Sequence, residues 1–244
     1  MPCGRNDIAA VMCGADVTPE GAPVSLGDVR LLAPVRPGKL LGVAKNYADH
    51  AAELNEGVPE EPSVFSKLVT AVTGPSGPVI RPAYTQELDY EGELAVVIGR
   101  RLRGATPGEA MDAVFGYTII NDISARDLQR TEPQWTRAKG GDTFAPMGPW
   151  IVTADEIADP QNLRVRTWVN DDLRQDGHTS RMITPIAELL AWCSRNFTLE
   201  PGDVIATGTP AGVGRGFDPP RYLEPGDRVR IEIEQIGSIS HEIV

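Results

Sequence analysis

Short apolar runs separated by Pro, Gly and acidic turns dominate the chain. Leu40-Leu41-Gly42-Val43-Ala44 predicts a buried strand, and the spacing from Tyr47 to Leu54 changes to helical. Val58-Pro59-Glu60-Glu61-Pro62 is a polar, proline-punctuated loop. Thr106-Pro107-Gly108-Glu109 opens a helix, with Thr at the N-cap, Pro at the first position and Glu at the third. Val114 to Ile120 is a β-branched strand that ends at Asn121-Asp122, and Trp150-Ile151-Val152 is a short one. Leu163 to Val169 alternates apolar with polar and turns at Asn170-Asp171-Asp172 into a second strand, a hairpin signal. Thr184 to Cys193 predicts a helix with an apolar stripe through Ile186, Leu189, Leu190 and Cys193. Two Glu-Pro-Gly-Asp units, at 200–203 and 224–227, read as equivalent turns, each feeding a β-rich run. Strands outnumber helices without regular βαβ alternation. The fold class expected is α+β, mostly β, with a curved core.

One stretch departs from simple alternation. Asp89-Tyr90-Glu91-Gly92-Glu93 runs into Leu94-Ala95-Val96-Val97-Ile98-Gly99. In a continuous strand Asp89, Glu91, Glu93, Ala95 and Val97 share one face, and Tyr90, Leu94, Val96 and Ile98 share the other. Both rows continue as apolar, so the acidic groups enter a strand buried on both sides, where bare negative charge is costly. A hard divalent cation removes that cost. The chain carries its own control, Arg228-Val229-Arg230-Ile231-Glu232-Ile233-Glu234, where every residue of the acidic row is charged. That strand has a wet face. Glu91 and Glu93 are therefore candidate metal ligands, and Glu232 and Glu234 are not.

Composition narrows the class. The chain has 244 residues, 41% of them hydrophobic and 23% charged, which suits one large globular domain. Residues 1–38 hold only short apolar pieces broken by prolines and read as a small strand-rich cap; residues 39–244 form the main domain. A net charge of −11 argues against nucleic acid or an anionic membrane as partner. Cys3, Cys13 and Cys193 form no metal-finger spacing, and Cys193 reads as a small buried hydrophobe. With no apolar window of membrane-spanning length and no signal-like start, the expected location is cytoplasmic.

Further chemistry-bearing positions follow. Asp122 ends an apolar strand, where a turn residue or a third metal ligand would both sit. Three acidic groups from two neighbouring strands would offer Mg²⁺ or Mn²⁺ a facial set. His50 has Glu53 three residues on, either a surface pair or a carboxylate-oriented general base. His178 and His241 are expected to be solvated. Lys139 lies in Ala138-Lys139-Gly140-Gly141, whose glycines permit close backbone approach to a ligand. Arg126 could clamp a carboxylate or pair with Asp127, and Gln129 follows on the same segment. Thr207-Gly208-Thr209-Pro210-Ala211-Gly212-Val213-Gly214 could offer backbone N–H groups and hydroxyls to an anion, but it lacks the ending of a nucleotide-binding P-loop.

Five stretches occur in an order that resembles the fumarylacetoacetate hydrolase family: Gly42 to His50, Asp89 to Glu93, Asn121 to Asp127, Ala138-Lys139-Gly140 and Thr207 to Gly214. The resemblance is to the shorter bacterial branch, which includes acylpyruvate hydrolases, oxaloacetate decarboxylases and 2-hydroxyhepta-2,4-diene-1,7-dioate isomerases. It implies a mixed β-roll, usually a homodimer. It also implies Glu91, Glu93 and Asp122 as Mg²⁺ or Mn²⁺ ligands, and His50 with Glu53 as a catalytic dyad on a lid. Arg126, Gln129, Lys139 and Thr209 match substrate-contacting positions, with Lys139 steadying an oxyanion during catalysis. The activity expected first is hydrolysis of a C–C bond in an acylpyruvate or related 2,4-dioxo acid through a metal-stabilised enolate, with water activated by His50-Glu53. Oxaloacetate decarboxylation or dienedioate isomerisation is the alternative, and a non-catalytic metal and 2-oxo-acid binding module the reading from another class. Two departures stand out: Gly140-Gly141 where a bulky residue is usual, and Arg181 where an acidic one is common.

Overall fold

The computed structural model describes residues 11–12 and 21–244. In chain order it contains β1 (Leu40–Ala44), α1 (Ala48–Glu53), β2 (Ser63–Lys67), β3 (Val72–Thr73), β4 (Leu88–Asp89), β5 (Gly92–Ile98), α2 (Pro107–Asp112) and β6 (Val114–Asn121). β7 (Ser124–Ala125), α3 (Arg126–Thr131), α4 (Thr136–Lys139), β8 (Ala145–Thr153), β9 (Arg164–Val169) and β10 (Asp172–His178) follow. The chain closes with α5 (Ile186–Asn196), β11 (Val204–Ala206), β12 (Arg228–Ile233) and β13 (Gly237–Glu242). Of the strand-rich cap expected over 1–38, residues 1–10 and 13–20 lie outside the described residues; the described stretch 21–38 forms a 3₁₀ turn at 26–28 and no strand.

A seven-stranded mixed sheet in the order β2-β1-β11-β5-β6-β8-β3 carries the core, with parallel pairs at β1–β11 and β3–β8. A four-stranded antiparallel sheet, β10-β9-β12-β13, packs against it through β5, β6 and β8. The result is the curled, mostly β fold expected. β5 is central in the larger sheet and packed on its other side by the smaller one, so all seven of its residues are buried. At about 25 cal/mol per Å² of apolar surface, this doubly covered strand and its neighbours supply much of the hydrophobic stabilisation.

Local signals translate into structure in recognisable ways. Thr106 and Glu109 form the reciprocal capping box, with Glu109 accepting from the Thr106 N–H at 2.8 Å. The two Glu-Pro-Gly-Asp units are the same turn: Asp203 and Asp227 each accept from the N–H of their leading Glu, at 2.7 and 2.9 Å. On β12, Val229, Ile231 and Ile233 are buried while Glu232 is half-buried, and Glu234 just beyond is exposed. Cys193 is buried, and burial pushes its thiol up to about 12.

Three expectations need correction. The strand through 89–99 is not continuous: Tyr90 and Glu91 stand outside the ladders, between β4 and β5. Their N–H groups go to side chains instead, Tyr90's to Asp89 Oδ1 (2.9 Å) and Glu91's to Asn121 Oδ1 (3.0 Å), and the N–H of Gly92, the first residue of β5, goes to Gln175 Oε1 (3.0 Å). The short strand at Trp150 begins earlier, at Ala145, running through Pro146, which pairs with β3, and Pro149, where the pairing with β6 shifts register. His241 is buried, not solvated, because β13 turns it inward against β6, where Asn121 donates to its Nε2 at 2.8 Å.

Candidate active site

The break before β5 turns the Glu91 and Glu93 side chains toward the end of β6. The Asp122 N–H donates to the Glu91 carbonyl at 2.9 Å, continuing the β5–β6 pairing by one step and bringing Asp122 beside both glutamates. Glu91, Glu93 and Asp122 each present a carboxylate oxygen within 4.8 Å of the others, and all three are buried. Burial and the facing Asp122 and Glu91 charges push the Glu93 carboxyl well above the usual carboxylate range. Burial also opposes ionisation of Glu91, but Lys139 and Arg126 outweigh it and hold that carboxyl far below its ordinary value. Three hard oxygen donors at this separation, one of them unable to ionise comfortably beside the other two, fit a divalent cation.

Cations ring the cluster. Lys139, at the end of α4, places Nζ 2.8 Å from Glu91 and 2.9 Å from Asp122, and 5.1 Å from the Phe65 ring centre. Burial would lower the Lys139 pKa, but Asp122 and Glu91 more than offset it. Lys67, at the end of β2, ion-pairs with Asp122 and also donates to the Ile123 carbonyl at 3.3 Å. Burial lowers its pKa, and the Asp122 charge offsets only part of that. Sequence reasoning missed Lys67 because a lone Lys in Ser63–Lys67 looks like any strand-end cation.

Arg126 opens α3 and is almost wholly buried. Its Nε donates to Asp89 (2.8 Å), and Nη1 donates to Glu91 (2.7 Å) and to Gln129 Oε1 (2.9 Å). It does not pair with Asp127, which instead accepts from Thr85 and the Gln86 N–H. Its Nη2 is buried without a partner. Asp89, the first residue of the acidic row, stands apart from the metal-type cluster. Its carboxylate accepts from Arg126 and from the backbone N–H groups of Tyr90, Gly214 and Arg215.

The glycine-rich loop after β11 has an unexpected use. Its N–H groups serve the protein's own carboxylates: Gly208 donates to Glu93 (2.7 Å), Gly212 to Glu53 (2.8 Å) and Gly214 to Asp89 (2.7 Å). Gly212 has φ +103, and a Cβ there would lie 2.0 Å from the Arg174 carbonyl oxygen, so this approach needs glycine. Thr209 donates to the Gly92 carbonyl (3.0 Å) and accepts from Gln175 (2.8 Å), so its hydroxyl clamps the turn between Glu91 and Glu93. Gln175, which also grips the Gly92 N–H, comes from the smaller sheet, 83 residues away in sequence, and no local pattern marks it.

α1 carries His50 and Glu53 on one face, with Nδ1 2.8 Å from Glu53 Oε1. Since Glu53 accepts there and its other oxygen is held by Gly212, the imidazole is oriented with Nε2 left available. His50, Glu91, Arg126, Gln129, Lys139 and Thr209 line a single cleft. Arg181 lies outside it, exposed and 3.7 Å from Asp49. Gly140 has no room for a Cβ, which would sit 2.5 Å from the Thr136 carbonyl.

Fold and cleft together define a β-roll domain with convergent buried carboxylates and a histidine–glutamate pair on a covering helix. Residues 39–244 match the family described as fumarylacetoacetate (FAA) hydrolase C-terminal. The chain belongs to that family of enzymes. It is 48% identical over 225 residues to oxaloacetate tautomerase YisK of Bacillus subtilis, covering 90% of this chain and 74% of that one. It is 49% identical over 219 residues to protein Rv2993c of Mycobacterium tuberculosis, covering 90% and 80%. Among solved structures, it resembles a fumarylacetoacetate hydrolase from Exiguobacterium antarcticum, with TM-score 0.88, 45% identity and coverage of 97% and 87%. It also resembles the 2-hydroxyhepta-2,4-diene-1,7-dioate isomerase of Mycobacterium marinum, with TM-score 0.80, 46% identity and coverage of 90% and 79%. No helix among the described residues is long and apolar enough to cross a membrane.

Proposed function

We propose that this enzyme interconverts the keto and enol forms of a small 2-oxo dicarboxylic acid of the oxaloacetate kind. The observation that carries the reading is one cleft onto which both an imidazole oriented by Glu53, that of His50, and the Glu91 edge of a buried oxygen-donor cluster open. The oxaloacetate tautomerase of Bacillus subtilis and the dienedioate isomerase of Mycobacterium marinum support proton transfer ahead of the C–C hydrolysis expected first from sequence, while the Exiguobacterium antarcticum relative is named a hydrolase. Decarboxylation of the same acid and acylpyruvate cleavage are the alternatives that the same residues could serve.

Glu91, Glu93 and Asp122 would hold the cation, Mg²⁺ or Mn²⁺, and such an ion polarises the 2-oxo carbonyl and offsets the negative charge that develops when a neighbouring proton leaves. The protein's own groups do the rest. The unpartnered Nη2 of Arg126 is placed to receive the substrate's C1 carboxylate, with the Gln129 amide nitrogen as a second donor. His50 Nε2 takes the proton from C3 and gives it to the C2 oxygen, which completes the keto-to-enol shift, while Glu53 holds the ring and steadies its charged form. Lys139 balances negative charge at the oxygen of the enol. Thr209 keeps the Glu91-Gly92-Glu93 turn in register.

The test is ultraviolet decay of enol-oxaloacetate with Mg²⁺, then with EDTA. His50→Ala is expected to slow the catalysed decay roughly 10²–10⁴-fold. Glu91→Ala or Asp122→Ala should abolish it with the fold retained. Rates that ignore both EDTA and His50→Ala would sink the reading. Acetylpyruvate cleavage outpacing oxaloacetate enolisation would return hydrolysis to first place.

A further inference from the structure

The cleft has another charged group besides its catalytic pair and carboxylate cluster. Lys45, Glu56 and Arg215 line the same cavity as His50, Glu91 and Lys139. The Glu56 carboxylate sits between two cations, 2.7 Å from Lys45 Nζ and 3.3 Å from an Arg215 terminal nitrogen. Elsewhere in the cleft wall each cation is matched. Arg126 faces Asp89 and Glu91, Lys139 faces Glu91 and Asp122, and Arg130 holds Glu87 through two nitrogens. Lys45 and Arg215 share one carboxylate, so the unmatched positive charge of the wall lies with them.

Both cations are fixed from behind. Lys45 has φ +55, an uncommon conformation for a residue with a long side chain, of the kind that tends to mark functional positions. The next residue, Asn46, locks that backbone by donating to the Thr184 and Thr207 carbonyls and accepting from the Thr184 N–H. The Arg215 N–H donates to Asp89 Oδ2 at 3.0 Å, the same oxygen that receives Arg126 Nε. Asp89 thus sets the spacing between the arginine proposed to hold the C1 carboxylate and the arginine beside Glu56. In a chain of net charge −11, holding a dianion demands local cations of this sort.

We propose that Lys45 and Arg215 form the subsite for the distal carboxylate of the substrate, with Glu56 as its resident stand-in, so that the cleft selects 2-oxo dicarboxylates over 2-oxo monocarboxylates. The proposal rests on the reading that a 2-oxo acid occupies the Arg126 and carboxylate-cluster part of the cleft. An arriving carboxylate takes the place of Glu56 between the two cations, and Glu56 swings to solvent, to which it is already partly exposed.

The experiment compares the affinity of the Mg²⁺-loaded enzyme for oxaloacetate and for 2-oxobutyrate, which differ only in a distal carboxylate against a methyl group. The wild type should favour oxaloacetate by at least about tenfold, the value of a hydrogen bond to a charged group. Arg215→Met and Lys45→Met should each erase most of that preference, and Glu56→Gln should retain or increase it. A wild type indifferent to the distal carboxylate, or an unchanged preference in both cation variants, overturns the subsite. Glu56→Gln losing the preference as Arg215→Met does would also overturn it, because Glu56 would then be a latch and no stand-in. Failure of the tautomerase reading looks different: the binding preference and its loss in the variants persist while oxaloacetate is not turned over.

Discussion

His241 shows how a single buried side chain can tie sheet to site. Asn121 accepts the Glu91 N–H with Oδ1, so its Nδ2 faces His241 and must donate to an unprotonated Nε2. The His241 proton therefore resides on Nδ1, which is buried without a partner. Burial pushes the imidazole down to about 3 from an ordinary value of 6.5. The unfolded chain gains a proton on this residue as pH falls below 6.5, while the folded chain does not until near 3, so stability is lost across that window as pH falls. At pH 5 the loss amounts to about 2 kcal/mol. His241→Gln, which keeps an acceptor for Asn121, should flatten the urea-unfolding free energy between pH 7 and pH 5 relative to wild type. Parallel curves would show that His241 protonates freely in the fold. At this scale the sequence was legible where a residue type announced itself against its neighbours. Glu91 and Glu93 did so by running into an apolar strand, and His50 by its spacing from Glu53. Lys67, Gln175 and His241 were illegible, because each owes its role to a partner 55 or more residues away.

At the scale of elements, the loop that follows β11 organises the site more than any strand does. Three of its N–H groups hold Glu93, Glu53 and Asp89, so one segment orients a cluster carboxylate, the partner of His50 and the anchor of Arg126. Its Thr-Gly-Thr-Pro-Ala-Gly-Val-Gly composition made it visible as a loop that could offer N–H groups to an anion, and the anions those three N–H groups hold are the protein's own carboxylates. Glycine N–H groups satisfy whichever carboxylate the fold brings near, and here those come from β4, β5 and α1. Gly212→Ala should test the element. The positive φ and the clash with the Arg174 carbonyl should cost about 1–3 kcal/mol, lowering Tm by several degrees. Turnover should fall further than stability alone explains, since Glu53 loses its 2.8 Å donor and His50 its fixed orientation. A variant with lowered Tm and full activity would show that the loop stabilises the fold without positioning the dyad. The break before β5 belongs here too. Alternation predicted one strand from Asp89 to Gly99, but side chains of Asn121 and Gln175 take the ladder's place at Glu91 and Gly92. Strand periodicity cannot foresee a backbone captured by side chains from other elements.

Across the whole molecule the dominant feature is a concentration of opposed charge inside an acidic protein. Asp89, Glu91, Glu93 and Asp122 are buried together with Lys67, Arg126 and Lys139, leaving one carboxylate more than the cations in contact with them. Glu93 bears that imbalance, its carboxyl driven well above the usual range by burial and by its two acidic neighbours. A divalent ion bound by the cluster would join β5 to the end of β6 and relieve the repulsion, so binding should stabilise the fold as a unit. With ion at a hundredfold over its dissociation constant, linkage gives about 2.7 kcal/mol, or roughly 5–10 °C in Tm for a chain of this size. Melting in EDTA and in excess Mg²⁺ or Mn²⁺ measures that shift directly. Glu93→Gln separates the ion from nonspecific salt effects. The amide removes the repelled charge yet keeps an acceptor for the Gly208 N–H, so the metal-free variant should melt no lower than metal-free wild type. Its response to the ion should fall below about 2 °C, since a neutral oxygen is a poorer ligand for a hard cation. A Glu93→Gln protein that keeps the full shift would place the stabilising ion elsewhere. Wild type unmoved by either ion would remove the cluster's claim to bind one.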